Sequence, residues 1–261
     1  MRVSLIITTY NRPDALLLVL RSIEEQRTLP YEVIIADDGS TNDTKEVVTS
    51  FQEKSDIRVI HSWQEDSGFR AAKSRNKAIS QSNSDYIVLI DGDVILHPEF
   101  INDHINNAQP SYFVQGSRVL LTQDKTKQAL DQQKINFSLL SNGLQNRKNA
   151  FHSNILSKLF SNKRNYLRGI RTCNMAFYKQ DCININGFNN EFEGWGREDS
   201  EFIMRLLNSG INRKNVRFNA IQFHLWHNEN IRDSLEKNEA ILQNTINNQI
   251  KWCDSGLKKF L

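Results

Sequence analysis

Residues 86–93 read YIVLIDGD, an unbroken apolar run that stops on an acidic turn, Asp91-Gly92-Asp93. A run of this length with no polar alternation fits a strand covered on both faces, as in a parallel sheet flanked by helices. The same pattern recurs upstream. Residues 3–9 (VSLIITT), 31–36 (YEVIIA) and 57–60 (IRVI) read as three further strands, the second ending on Asp37-Asp38-Gly39-Ser40. Between them lie helical spacings: Pro13 at a helix start before Leu16, Leu17, Leu20 and Ile23; Thr41 or Asn42 as a cap before Val47, Val48 and Phe51; and residues 70–80. Strands alternating with helices predict an α/β fold with a doubly wound, Rossmann-like, mostly parallel central sheet flanked by helices. Ligands bind such sheets beyond the carboxyl ends of the strands. Residues 8–12, 37–40 and 91–93 fall at those ends and are expected to share one crevice.

Downstream the regularity weakens. A helix over 98–107 and a strand over 112–121 precede a basic, Asn-rich section. Apolar positions from Phe202 to Leu207 then predict a helix ending at Gly210, which puts Glu198 and Asp199 at its first turn, where the helix dipole favours anions. Ile231, Leu235, Leu242, Ile246 and Ile250 predict a last helix over about 231–253.

A chain of 261 residues with 39% hydrophobic and 24% charged residues is a globular protein with one large domain or two closely packed lobes, and it is not disordered. The start, MRVSLIITTYNRP, has too short an apolar run for a signal segment or a membrane span. Cys173, Cys182 and Cys253 are odd in number and lack CxxC spacing, so a reducing, cytoplasmic setting is expected. The net charge of +3 conceals an asymmetry, because residues 121–171 carry ten Lys/Arg against two Asp. That block fits a solvated face or contact with an anionic partner. With Phe151, Ile155, Leu156, Leu159 and Phe160 among the charges, it also fits peripheral contact with the inner face of a membrane.

The chemistry-bearing residues form two groups. Asp91 and Asp93, with Gly92 between them, can hold a divalent cation beside phosphate oxygens, and His224 and His227 in HLWH can complete its shell as neutral imidazoles. Gly68, Arg70, Arg75 and Asn76 offer a turn, cations and an amide for a nucleotide diphosphate. In EGWGREDSEF (193–202), Glu198 and Asp199 form a carboxylate pair suited to general-base work, and Trp195 between two glycines suits a sugar platform. A dinucleotide oxidoreductase is excluded, since TTYNRP stands where GxGxxG belongs. A sugar-nucleotide nucleotidyltransferase lacks its Gly-rich basic loop, and a carbohydrate-binding module leaves the acidic metal cluster unexplained.

The ordered set TTYNR, ADDGST, DSGFRAAKSRN, DGD, NGFNNEFEGWGREDSEF and HLWH resembles family 2 inverting nucleotide-sugar glycosyltransferases of the GT-A fold, of the bacterial polysaccharide kind. Residues 186–202 also resemble β-1,4-galactosyltransferases and chondroitin-polymerase domains. The resemblance implies one continuous domain, its sheet accompanied by a smaller acceptor-binding part, with a UDP-binding half over 1–120 and an acceptor-binding, catalytic half with the C-terminal helix over 121–261. It implies that Thr8, Tyr10, Arg12 and Asp37 or Asp38 line the uridine pocket, that Arg70 and Asn76 lie near the uracil and donor, and that Asp91 faces the ribose or the metal. Asp93 and His227 match metal ligands, with His224 as a second histidine. Asp199 matches the catalytic base, and Glu198 and Trp195 match acceptor and donor contacts. Arg197 departs from the small residue of galactosyltransferases. The implied activity is metal-dependent (Mn²⁺ or Mg²⁺) transfer of a hexose or N-acetylhexosamine from a UDP-sugar to a saccharide or lipid-linked saccharide in polysaccharide synthesis, with no nucleic-acid partner.

Overall fold

The computed structural model describes residues 1–228 and 233–261. Its first part is β1 (Val3–Thr9), α1 (Pro13–Glu24), β2 (Glu32–Asp37), α2 (Asn42–Lys54), β3 (Arg58–Trp63), α3 (Ala71–Ser80) and β4 (Tyr86–Asp91). The four strands pair in parallel in the order β3-β2-β1-β4, with Thr8 opposite both Ala36 and Asp91. Alternate residues feed opposite faces, as the period of a strand requires. Leu5, Ile7, Val33, Ile35, Val88 and Ile90 pack with α1 and α2, whereas Ile6, Ile34, Ile87 and Leu89 pack with α3 and the downstream helices.

The chain continues as β5 (Val94–Leu96), α4 (Phe100–Asn107), β6 (Tyr112–Gln115), β7 (Ser117–Leu121), α5 (Gln123–Asp131), β8 (Leu144–Gln145), α6 (Asn154–Phe160), β9 (Asn162–Lys163), β10 (Asn174–Tyr178), α7 (Lys179–Asn184), α8 (Glu198–Asn208), β11 (Asn212–Asn215), β12 (Ile221–His224) and α9 (Leu235–Asn247). Strands β10, β6, β11 and β9 extend the main sheet beyond β4, and β5-β12-β7-β8 form a second sheet. The second sheet packs Ile95, Val119, Ile221 and Phe223 against Ala15 and Leu18 of α1 and Ala129 of α5.

Two expectations are corrected. The strand expected over 112–121 is two strands in different sheets, divided at Gly116, where a Cβ would strike the Asn174 side chain and come within 2.6 Å of the Ala220 carbonyl oxygen. The last helix stops at Asn247, short of Cys253. Gln249 takes a left-handed φ of 48°, the N–H of Ile250 donates to Thr245 O, and that of Gln249 donates to Ile246 O, a Schellman termination without glycine. The expected start of that helix at Ile231 lies outside the described residues.

The basic section folds as short pieces. Its α6 spans only Asn154–Phe160, with Ile155 74% and Leu159 70% exposed. Among the described residues, no helix is long and apolar enough to cross a membrane.

Candidate active site

Strand β10 runs antiparallel to β4 with Asn174 opposite Ile90, so the residues entering β10, Thr172 and Cys173, arrive at the acidic carboxyl end of β4. The ends of β1, β4 and β12 and the start of α8 meet there, around a cleft of about 930 Å³. Thr8, Tyr10, Arg12, Asp38, Arg75, Asp91, Gly92, Asp93, Trp195, Glu198, Asp199, His224 and His227 all line it.

Gly92 permits the turn that separates the two aspartates. Its N–H donates to Thr8 O at 2.7 Å, and a Cβ would sit 2.8 Å from Thr9 Oγ1. Beyond it, β5 pairs with β12, placing Val94 opposite His224, and Leu225 N donates to Asp93 O. This pairing draws the histidines onto Asp93. His224 Nε2 lies 3.7 Å from Asp93 Oδ1 and His227 Nε2 lies 3.4 Å from Oδ2, and the three ligand atoms lie within 4.8 Å of one another. Burial, followed by the Arg118 charge, pushes His224 down to about 4, so its imidazole is neutral at pH 7. His227 Nδ1–H donates to Asn228 O at 2.7 Å, turning the Nε2 lone pair toward Asp93. Asp93 Oδ1 is buried without a hydrogen-bond partner, and burial raises the Asp93 pKa. A buried carboxylate oxygen with no donor, beside the neutral imidazole of His224 and with His227 Nε2 on the other oxygen, fits a divalent cation.

Arg75, on the buried face of α3, links the two acidic groups. It reaches Asp199 Oδ1 at 3.1 Å, Asp91 Oδ1 at 3.5 Å and Glu198 Oε1 at 3.6 Å, and its Nε donates to Thr8 Oγ1 at 3.1 Å. Burial opposes its charge, but Asp199, Asp91 and Glu198 outweigh that and raise its pKa. Burial lifts Asp91 to about 6 against the pull of Arg75. Glu198 is lifted to about 7, by burial first and Asp199 second. Asp199 accepts from Thr172 Oγ1 at 2.6 Å and from Thr172 N at 2.9 Å, and its side chain is 25% exposed against 10% for Glu198.

The turn before α8 is built on left-handed residues. Gly194, Gly196 and Arg197 have φ of 70°, 109° and 74°, and Asn238 of α9 donates to the carbonyls of Glu193 and Gly196. Arg197 is tied to α9 through Glu239, with Nε 2.5 Å from Oε2. Trp195 stands in this turn, 37% exposed to the cleft.

Four residues singled out from the sequence do not line this cleft. Asp37 is buried and accepts from Ser40 N and His61 Nε2, so of the two aspartates only Asp38 reaches the crevice. Asp38 in turn accepts from Gln64 Nε2 and Arg70 N. Asn76 is wholly buried and clamps Phe188 through both its amide and carbonyl, which fixes the loop ahead of α8. Gly68 is exposed in the loop before α3, and Arg70 pairs with Glu193 at 3.1 Å. Conversely, Thr172, Cys173, Arg118 and Arg171 reach the site without having been singled out. The apolar stretch NMAFY was the available sign of β10, and hence of Thr172.

Fold and cleft together define a glycosyltransferase of the GT-A class. Residues 4–184 match the model of Glycosyl transferase family 2, and the chain belongs to that family. Residues 154–228 match a second model, described as the N-terminal domain of galactosyltransferase. The hyaluronan synthase of Pasteurella multocida is 29% identical over 226 residues, covering 79% of this chain and 23% of that protein. The chondroitin synthase of Escherichia coli is 26% identical over 245 residues, covering 85% of this chain and 34% of that protein. The chain thus spans about a quarter to a third of these relatives. Among solved structures, S. aureus TarS superposes with a TM-score of 0.62 at 18% identity, over 100% of this chain and 41% of that one. The mannosyltransferase PcManGT of Pyrobaculum calidifontis, in complex with GDP-Man and Mn²⁺, gives 0.59 at 17% identity, over 86% of this chain and 56% of that one.

Proposed function

We propose that this chain moves one hexose or N-acetylhexosamine from a UDP-sugar to a saccharide hydroxyl with inversion, in the synthesis of a polysaccharide. The acceptor is a free or lipid-linked saccharide. The observation that carries this reading is the placement of Asp199, held by Thr172 and Arg75, in the same cleft as the Asp93–His224–His227 cluster.

Residues 1–120 serve as the donor half: Thr8, Tyr10, Arg12 and Asp38 border the space for the nucleoside, and Asp91 faces the ribose or the metal. Residues 121–261 serve as the acceptor half, with Trp195 as the sugar platform and Glu198 orienting the acceptor. Asp93, His224 and His227 would hold a divalent ion, which would supply Lewis acidity for the diphosphate leaving group. Two nitrogen donors and one oxygen favour Mn²⁺ over Mg²⁺, which prefers oxygen. Asp199 takes the proton of the acceptor hydroxyl as that oxygen attacks the anomeric carbon from the face opposite UDP. The bond to the UDP oxygen breaks in the same displacement, so no residue forms a covalent intermediate. Arg75 sits against the carboxylates rather than open to the donor, and its role is to hold Asp199 and Asp91 in place.

A second assignment of the base has one observation in its favour, the Glu198 pKa near 7, which suits proton transfer at neutral pH. Access favours Asp199, the more exposed of the two. The test is UDP release from a set of UDP-sugars with Mn²⁺ or Mg²⁺ and saccharide acceptors, with the product anomer read by NMR. Asp199→Asn is expected to lose most turnover while UDP still binds. Near-normal transfer by that variant, with loss in Glu198→Gln, would move the base to Glu198, and a retained anomer would sink the inverting mechanism.

A further inference from the structure

Beside the main cleft lies a smaller recess of about 240 Å³ whose lining includes Arg118, Arg164, Arg171 and Arg217 and no carboxylate. Its shape follows from the change of sheets at Gly116. That residue lets β6 end in one sheet and β7 begin in the other, and Arg118 stands at the start of β7. Arg164 follows β9, Arg171 precedes β10 and Arg217 follows β11, so four separate segments bring guanidiniums to one place.

Several other arginines of this chain meet carboxylates: Arg75 has three, Arg205 has Glu201 and Arg197 has Glu239, whereas buried Arg213 is met by carbonyl oxygens. Among the described residues, none of the four recess arginines forms an ion pair. Two are braced by aromatic rings instead. Arg164 lies 5.8 Å from the Tyr166 ring and donates to its hydroxyl at 2.6 Å, and Arg217 lies 5.7 Å from the Phe218 ring. Stacking orients a guanidinium while leaving N–H groups for a planar or tetrahedral oxyanion. Burial and the neighbouring Arg118 both lower the Arg171 pKa, the cost of gathering like charges without a counter-ion. An anion in the recess would relieve that repulsion.

The recess also has an address. Arg118, Arg171 and Cys173 line both it and the main cleft, and Thr172, between Arg171 and Cys173, holds Asp199. An anion seated there lies next to the residue assigned to the acceptor hydroxyl, away from β1 to β3. Resting on the transferase reading, we propose that this recess is a subsite for an anionic group of the acceptor, a sugar carboxylate or phosphate, which registers the acceptor chain against Asp199.

The test separates this from the transferase reading by measuring binding without donor. Oligosaccharides ending in glucuronate, in a sugar phosphate, or in glucose are titrated calorimetrically into the protein at fixed ionic strength. At least one charged ligand should bind about tenfold tighter than the glucose-capped one, as charge-assisted bonds to arginine imply. Whichever binds tighter, carboxylate or phosphate, identifies the source. The double variant Arg164→Ala, Arg217→Ala, at residues exposed enough to leave folding intact, should erase that preference, and Arg171→Gln alone should reduce it. In the transfer assay, the double variant should raise KM for the charged acceptor and leave KM for the neutral one unchanged. Equal binding of charged and neutral ligands, or a preference that survives the double variant, overturns the subsite. A preserved preference in wild-type protein that transfers no sugar would instead remove the transferase reading and keep the anion site.

Discussion

Thr172 grips Asp199 with two donors, its hydroxyl at 2.6 Å to Oδ1 and its backbone N–H at 2.9 Å to Oδ2. Both carboxylate oxygens are thereby oriented by one residue, with Arg75 bracing Oδ1 from the other side. Thr172→Val removes the hydroxyl and keeps the shape and the N–H. A hydrogen bond to a charged group contributes about 1.5–3 kcal/mol, so kcat is expected to fall roughly 10- to 100-fold with little change in acceptor KM. Thr172→Ser should restore it. Steady-state UDP release measures both, and a variant that raises KM alone would show that Thr172 serves binding rather than alignment.

The partnerless Asp93 Oδ1 makes a second expectation concrete. Metal at about a hundredfold over its Kd stabilises by about 2.7 kcal/mol, roughly 5–10 °C in melting temperature for a chain of this size. Mn²⁺ should produce that rise in the wild type, and a chelator should reverse it. Asp93→Asn and His227→Ala should abolish it, since each removes one of the clustered ligand atoms. A rise that survives Asp93→Asn would place the ion elsewhere.

Glu198 links pH to stability. Its carboxyl titrates near 7 in the folded chain against an ordinary 4.5, because burial and Asp199 disfavour the anion. Below about pH 4.5 the group is protonated in both states. Between 4.5 and 7 the folded chain holds a proton the unfolded chain has released, so this group's favourable contribution fades as pH rises and is gone above 7. Glu198→Gln is permanently neutral. It is expected to melt like the wild type near pH 4.5 and to be more stable by on the order of 2 kcal/mol at pH 8. Denaturant melts at the two pH values check this, and equal gains at both would mean that charge is not the cause.

The half of the molecule that regular packing dictates was the half legible in sequence. Residues 3–9 and 86–90 announce buried parallel strands through predominantly apolar runs, and the crevice at their ends follows from topology. His227 is tied to Asp93 by the resemblance of HLWH to the family's metal histidine, with His224 as a second, although the β5–β12 pairing that joins them is not visible in sequence. The rest depended on tertiary partners. Gly116 looks like any strand glycine until Asn174 is beside it, and Gln249 ends a helix in a conformation its residue type does not advertise. Asn76 and Asp37 have the chemistry of ligand contacts, but buried backbone groups claimed them first. Thr172 lies two residues ahead of β10, whose short stretch NMAFY, opening on an asparagine, is the one sign of it.

Gly116 offers the sharpest test of how the architecture holds the site. Asn174 donates from Nδ2 to the carbonyls of Ser117 and Ala220 at 2.9 and 2.8 Å, and its Oδ1 meets His104 Nε2 at 3.0 Å, so its amide cannot retreat from a new methyl group. Gly116→Ala is therefore expected to cost about 1–3 kcal/mol, the range for overpacking a tight interior. Asn174→Ala alone should also destabilise, by about 1–3 kcal/mol, because it removes a donor from the buried Ser117 and Ala220 carbonyls and takes the partner of His104 Nε2. The two losses should not add: with the amide gone the methyl group keeps only its close approach to the Ala220 carbonyl oxygen, and the double variant should lose less than the sum. Because Asn174 begins the strand that Thr172 enters, Gly116→Ala should also lower turnover at temperatures where it remains fully folded. Urea melts of the three variants measure the coupling, and strict additivity would mean that the Gly116 contact with Asn174 does not set the boundary between the sheets.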